Sequence, residues 1–382
     1  MCTNSESRYG CWLVFTNVLK LVIYVADVVS DIVLAAKYFN NGDTYWGGFT
    51  LAFALVPQFF MNMTMWYQEG RNPRTFILYF LQVGVVLRYL QVVVGVCCRC
   101  YNPSDIRKDK EKAETSQKPV SRTVLHVLPL VHLISTLLES VPQICLQLYV
   151  VIVTGELERM EIDPLKYVSV VISLVAAVKT VWDWEMHFFD VNPNPPRRWC
   201  LLYGPLFAVW KVVELCSRVV AFCVFSSLYS YGGFVVVGVH WLVMAITENV
   251  LCSYFRDGDP WIGFYDDIYY DSGTFMQVCF NLLTVSPVDV FAWATFGSRS
   301  FSKIQPIVNG VLTFAGNYVM VLVWYFLKDA SAWYDLYALI PVLVGTATSL
   351  LILKPLYLWC YARGPCNAVP SPEPKLQMYF IG

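Results

Sequence analysis

The sequence predicts an all-α polytopic membrane protein, with about eight transmembrane helices and two re-entrant half-spanning segments in two pseudo-repeats. Three observations predict it. First, 57% of the 382 residues are apolar or aromatic and only 14% are charged, against about 25% in soluble domains; mean hydropathy is +0.51. So few charges cannot clothe a soluble surface of this size. Second, apolar runs of the length a helix needs to cross a bilayer recur along the whole chain. Runs such as 141–153 and 310–327 lack the alternation of a β-barrel. Third, the loop charges are asymmetric, as orientation in a membrane requires. The 27 Lys and Arg nearly cancel the 28 Asp and Glu, which argues against a nucleic-acid binder. A disordered chain is excluded by the apolar content.

Ten apolar segments are read in order, near 11–37, 46–67, 74–98, 124–154, 164–188, 204–230, 232–254, 274–297, 305–327 and 336–362. The first ten residues are polar and show no cleavable signal peptide, so the first span is expected to start insertion itself. Stretch 98–123 carries Arg99, Arg107, Lys108, Lys110, Lys112, Lys118 and Arg122 and marks the cytoplasmic side. The connection from Glu156 to Asp163 is acidic and is expected outside; the next, with Arg197 and Arg198, inside. Ten full crossings from a cytoplasmic N-terminus would put the basic loop outside. One re-entrant segment among the first three removes that conflict, and a second in the C-terminal half keeps both termini cytoplasmic. Irregular backbone at membrane depth must be covered by protein or water. Pro57, Pro142, Pro287 and Pro341 mark breaks or simple kinks. The expected organisation is therefore a tail (1–10), an N-terminal repeat (11–188), a connecting segment (189–203), a C-terminal repeat (204–363) and a Pro-rich cytoplasmic tail (364–382).

Ionisable residues inside these segments carry the functional signal. They are Asp27, Asp31, Arg88, Glu139, Lys179, Asp183, Lys211, Glu214, Arg218, Glu248 and Asp289. A charge at the centre of a lone helix costs about 2.5–3.5 kcal/mol. Unpaired, the set would cost on the order of 30 kcal/mol, more than the whole margin of a fold. The spacings fit pairing. Asp27 and Asp31 share a helix face, Lys179 and Asp183 can pair four apart, and Lys211, Glu214 and Arg218 form a plus–minus–plus stripe. Such pairs either fix helix register or line a polar track for a charged substrate. Glu248 is near enough to a span end to snorkel.

Other features are weaker. Most of the 13 cysteines lie in apolar runs as helix filling. Cys97, Cys98 and Cys100 stand where a span meets the basic loop, as interfacial packing or as palmitoylation sites. The sequon Asn62-Met63-Thr64 lies inside an apolar run and is expected to stay unmodified. Stretch 256–271 is acidic and aromatic but lacks the spacing of an EF-hand, and reads as a solvated loop with an interfacial aromatic belt. His126, His132, His187 and His240 form no metal-site spacing, and no nucleophile elbow is present. No cofactor or metal is called for, and no hydrolase or redox chemistry.

Several motifs resemble one family over nearly the whole chain. They are Tyr24-x-x-Asp27-x-x-x-Asp31, Gly42-Asp43-Thr44-Tyr45-Trp46, and Arg88 in the third segment. With them come Glu139-Ser140-Val141-Pro142-Gln143-Ile144-Cys145-Leu146-Gln147-Leu148-Tyr149, Trp210-Lys211-x-x-Glu214-x-x-x-Arg218-Val219, and Trp324-Tyr325-Phe326-Leu327-Lys328. The acidic residue followed by Pro142, Gln143 and Gln147 is the most specific. Together they resemble the XK-related family, which includes phospholipid scramblases. The resemblance implies ATP-independent, largely non-selective scrambling of phospholipids with phosphatidylserine exposure at the plasma membrane. It implies two four-helix repeats, each with a re-entrant element. It also implies that Asp27, Asp31, Arg88, Glu139, Asp183 and Arg218 are among the residues lining the lipid path. The residues themselves add Lys179, Lys211 and Glu214 to the candidate set. A single-span membrane partner is a further expectation. Caspase activation, known in the family, is not implied, because neither tail carries Asp and no Asp-x-x-Asp occurs. Leu339 stands where a family member carries a partner-linking cysteine, so that disulfide is not implied either. The competing readings are a non-catalytic partner or chaperone, and an ion channel or secondary transporter using the same carboxylates.

Overall fold

The computed structural model describes residues 4–68, 73–84, 128–161, 163–189, 197–254, 286–291, 301–328 and 333–357, with a few single positions between them. These residues are helical, with no strand among them. They divide into two units, Met1–Glu139 and Ser140–Ile381. Arg88, the basic loop 98–123 with its cysteines, the acidic stretch 256–271 and the tail 364–382 lie outside the described residues.

In the first unit, α1 (Asn4–Asn40) starts inside the polar N-terminal stretch and runs through the whole first apolar segment. It stops at Asn41–Gly42. Gly42 takes φ 86°, and Asp43 N–H closes the helix end on the Tyr38 carbonyl at 2.9 Å. That left-handed position favours glycine. α2 (Thr44–Gln68) then packs back along α1. α3 (Pro73–Phe80) follows and packs on α2. Its 8 residues rise only about 12 Å, against a hydrocarbon core of about 30 Å. The helix breaks at Gln82, which takes φ 63°, and Val83 N–H reaches the Leu78 carbonyl at 2.9 Å. The Gln82 amide donates to the Leu55 carbonyl of α2 at 3.2 Å. At the corner the ring of Tyr79 lies so close to Gly84 that a Cβ there would fall 2.1 Å from it.

α4 (Leu128–Val153) carries Pro142 in its interior. The second unit then holds α5 (Glu156–Arg159), α6 (Pro164–Phe189), α7 (Arg197–Leu228) and α8 (Gly232–Tyr254). They are followed by α9 (Ser286–Phe291), α10 (Phe301–Leu327) and α11 (Asp335–Thr348). Short α5 is flanked by left-handed Gly155 and Met160, and Lys166 pairs with Glu156 across it at 2.5 Å. α7 is central and packs against α6, α8, α9, α10 and α11. Its apolar core joins Ala221 and Val224 to Met320, Val321 and Trp324 of α10 and to Ala338 and Val342 of α11. α11 continues through a π-helical turn, Ser349–Leu353, in which Lys354 N–H bonds the Ser349 carbonyl. Pro355 follows at once; it has no N–H and crowds the carbonyl four residues back, which the wider turn relieves.

Among the described residues, five stretches are long and apolar enough to cross a membrane: His132–Val153, Pro164–Trp184, Gly232–Val250, Ile307–Leu327 and Asp335–Tyr357. The chain is a membrane protein turned inside out relative to a soluble one. On α8, Val235, Val239, Leu242, Ile246 and Val250 form an exposed stripe at helical spacing, while His240, Met244, Ala245 and Glu248 are buried. Hydrocarbon rewards neither face with a hydrophobic effect, so packing and interhelical hydrogen bonds carry the association. At the α10–α11 connection, Lys328 pairs with Asp335 and stands 4.8 Å over the Trp324 ring. Desolvation there holds the Lys328 ammonium below the ordinary lysine value. Desolvation, with Glu158 nearby, raises the Tyr334 phenol.

Candidate functional site

The structure buries most of the described intramembrane charges and sorts them into groups. In the first unit, Asp27 and Asp31 of α1 and Glu139 of α4 are 4%, 0% and 1% exposed. Both aspartates lie near enough to act on the Glu139 carboxyl, which in turn acts on Tyr24. The four-residue spacing on α1 is what aims Asp27 and Asp31 the same way. Gln58 of α2 donates its amide to Glu139 Oε2. Asn62, one turn on, ties back to the Gln58 carbonyl at 2.9 Å. Asn62 is fully buried, so the sequon is closed to modification. Among the described residues Gln58 Oε1 and Glu139 Oε1 find no hydrogen-bond partner. This is a carboxylate-rich cluster of polar atoms contributed by α1, α2 and α4.

The second unit holds a mixed group and a cationic one. Lys211 donates to Glu214 Oε2 at 2.8 Å one turn along α7, with its ammonium 4.1 Å over the Trp210 ring. Lys354, brought inward after the π turn, senses Glu214, Lys211 and Asp289, and Asp289 is buried on α9. Arg218, one face further along α7, is wholly buried. Its Nε donates to the Val290 carbonyl at 3.3 Å and its Nη1 to Asn317 Oδ1 at 3.1 Å. Its Nη2 lies 2.9 Å from His240 Nδ1. The Asn317 amide is anchored in turn on Thr346 Oγ1 at 3.0 Å.

The remaining sequence candidates fall as follows. Lys179 reaches both Asp183 oxygens at 2.5 Å within α6, a half-buried pair with side chains 29% and 23% exposed. Gln143 and Gln147 are fully buried and Pro142 partly so. Glu139, Gln143 and Gln147 stand four apart on one stripe of α4. Sequence reasoning discounted Glu248 as a snorkelling residue. The structure buries it to 4% exposure, where it accepts from Ser286 at 2.9 Å. Gln58, His240, Asn317 and Lys354 were missed. For two of them a signal exists: Gln58 and Asn62, and again Asn309, Thr313 and Asn317, are polar at four-residue spacing inside apolar runs. His240 and Lys354 stand alone among apolar neighbours and give none.

A family model described as XK-related protein matches residues 15–362. The chain belongs to the XK-related family. Its curated relatives include the endoplasmic reticulum membrane adapter protein XK of Pan troglodytes, 22% identical, with 92% of this chain and 84% of that protein aligned. The Mus musculus protein of the same name is 22% identical over 93% of this chain and 84% of its own length. XK-related protein 8 of Tetraodon nigroviridis is 22% identical over 92% and 83%. These names describe a membrane adapter and XK-related proteins, not hydrolases or oxidoreductases. The family match covers every helix in which the buried charges sit.

Proposed function

We propose that this XK-related chain is an ATP-independent phospholipid scramblase. It moves headgroups across the bilayer along a track of intramembrane charges while the tails stay in lipid. The observation that carries the reading is the burial of Asp27, Asp31, Glu139, Lys211, Glu214 and Arg218 at 5% exposure or less, on long helices whose outer faces are apolar. A phospholipid crosses slowly because its charged head must leave water. Fixed charges of both signs replace that hydration, the basic ones (Arg88, Lys211, Arg218) for phosphate and the carboxylates (Asp27, Asp31, Glu139, Asp183) for amine. Flow is then downhill and largely indifferent to the head. In this reading α3 is one re-entrant half-span, since 8 residues ending at left-handed Gln82 suit a hairpin better than a crossing. The segment containing α9 is the other. Both termini face the cytoplasm, and the protein exposes phosphatidylserine at the plasma membrane.

The test is the purified chain in liposomes with a fluorescent lipid and an outer-leaflet quencher. Scrambling carries quenching beyond the outer-leaflet share. Asp31→Ala and Glu139→Ala then slow it. Quenching that stops at that share, with and without calcium and also after removal of 364–382, overturns the reading. A second reading, a non-catalytic adapter holding a single-span membrane protein, is favoured by the printed name of the XK relatives. It predicts a stoichiometric partner on co-purification and silent liposomes.

A further inference from the structure

We infer that Gln58 of α2 holds Glu139 of α4 as a protonated acid, and that this one proton closes a two-bond clasp between the helices. Hydrogen-bond capacity leads there. A primary amide has an oxygen that accepts and an NH2 that donates, whereas an ionised carboxyl only accepts. Gln58 Nε2 donates to Glu139 Oε2 across 81 residues of chain. The same two groups each keep a second oxygen, Gln58 Oε1 and Glu139 Oε1. Both oxygens are buried, and neither has a hydrogen-bond partner among the described residues. The two residues are 2% and 1% exposed. Two acceptors left over on one amide and one carboxyl call for a single donor between them. A proton on Glu139 Oε1 is that donor, since it makes the oxygen an O–H that gives to Gln58 Oε1. The clasp then has two parallel hydrogen bonds, amide to acid and acid to amide, and no orphan oxygen. Turning the amide over would set oxygen against oxygen at Oε2, a contact that needs a proton on Glu139 just the same.

Burial makes the open arrangement costly. An unsatisfied acceptor taken out of water costs free energy, and an ionised group costs far more. The neighbours point the same way. Among the described residues, the titratable groups facing this pair are Tyr24, Asp27 and Asp31, all on α1. From α2 come Gln58 and, one turn on, Asn62, neither of which titrates. A proton on Glu139 takes one of three like charges out of a buried group. Gln58 is thus a positioning residue: its amide faces Glu139 and favours that carboxyl as the seat of the proton. Asn62 steadies this turn of α2 through its bond to the Gln58 carbonyl at 2.9 Å. Loss of the proton leaves one hydrogen bond and an orphan amide oxygen, so alkali loosens the clasp. Linkage gives the sign. A proton bound by the folded chain and released on unfolding makes stability fall as pH rises above about 4.3, where an unfolded glutamate ionises. The clasp does not depend on transport. To the scrambling reading it adds one condition, that Glu139 meets an amine as a carboxylate only after its proton has left.

The experiment is infrared spectroscopy of the full chain in an uncharged detergent, with the pH profile of thermal unfolding beside it. At neutral pH the unsubstituted chain is expected to show the C=O stretch of a protonated carboxyl, shifted in heavy water and lost in Glu139→Gln. Gln58→Leu should move or remove that band, because the acid no longer has an amide to face; this variant carries the test if Glu139→Gln does not fold. In Glu139→Gln a second amide takes the place of the acid and keeps both bonds at every pH. Its melting temperature should therefore gain on that of the unsubstituted chain by about 2–5 °C per pH unit above pH ~5, the slope of one proton held on folding. A neutral-pH spectrum without an acid band, an acid band unchanged in Glu139→Gln and Gln58→Leu, or a melting-temperature difference that stays flat with pH overturns the inference. A chain that fails to scramble leaves the clasp intact, and a missing acid band leaves the scrambling reading where it stood.

Discussion

In the first unit the buried charges brought together are three carboxylates, Asp27, Asp31 and Glu139, wrapped by amides of α2. In the second unit Lys211, Lys354 and Arg218 enter the interior, with Glu214 and Asp289 beside two of them and neutral donors and acceptors around the third. The element order is nonetheless alike. Among the described residues each unit contains two long helices joined by a tight turn with a short helix next in order: α1, α2, α3 and α7, α8, α9. The charges sit at the same helical spacings, three or four apart, on the first helix of each set. Among the described residues one pattern therefore carries acidic chemistry in the first unit and mixed-sign chemistry in the second. The difference lies in a handful of side chains rather than in the fold, and a substrate with both an amine and a phosphate has use for both.

The comparison can be broken by single substitutions. The largest effect is expected from Glu214→Ala, which leaves Lys211 buried without its carboxylate and should cost about 3–5 kcal/mol. Unfolding in mixed micelles measures it. A loss below 1 kcal/mol would show that the pair is solvated and the second unit open. Next comes Gly84→Ala at the corner of the first unit. The new Cβ meets the Tyr79 ring, and overpacking of this kind costs about 1–3 kcal/mol. In a Tyr79→Ala background the Gly84→Ala step itself should cost little, so the two losses do not add. Gly345→Ala in the second unit meets the Ser217 hydroxyl at 2.4 Å, an end group that can rotate away, so a smaller loss is expected. The smallest effect belongs to Asp183→Ala. The Lys179–Asp183 pair is partly exposed and stands at the end of the Pro164–Trp184 stretch, and should contribute under about 1 kcal/mol. A larger value would move α6 into the set of helices that hold the interior.

The helical architecture was legible because apolar runs of membrane length leave few alternatives, and the i, i+4 spacings of α1, α6 and α7 stood in plain view. The first ten residues read as a tail because they are polar, and the helix of the first segment begins among them at Asn4. Polarity at a membrane surface is no bar to helix. Partners across helices were the illegible part. Arg218 finds Val290 and Asn317 at separations of 72 and 99 residues, and no local period encodes such a meeting. Glu248 was set aside on its position near a span end, but burial depends on which helix faces it, and Ser286 does. His240 looks like filler until the guanidinium beside it fixes which nitrogen carries the proton.

The π turn in α11 has a consequence for counting. Along that helix the buried positions run Ala338, Val342, Thr346 and Ser349, and then Lys354 and Tyr357. The steps are three or four residues, except for one step of five across Ser349–Leu353. The turn thus acts as a single extra residue absorbed into an otherwise regular helix. Shortening that stretch by one residue would leave Lys354 and Tyr357 aimed inward, on an ordinary helical step. Lengthening it by one would swing the lysine toward the lipid. In gene length the two changes are equal and opposite, yet this helix has already used its tolerance in one direction.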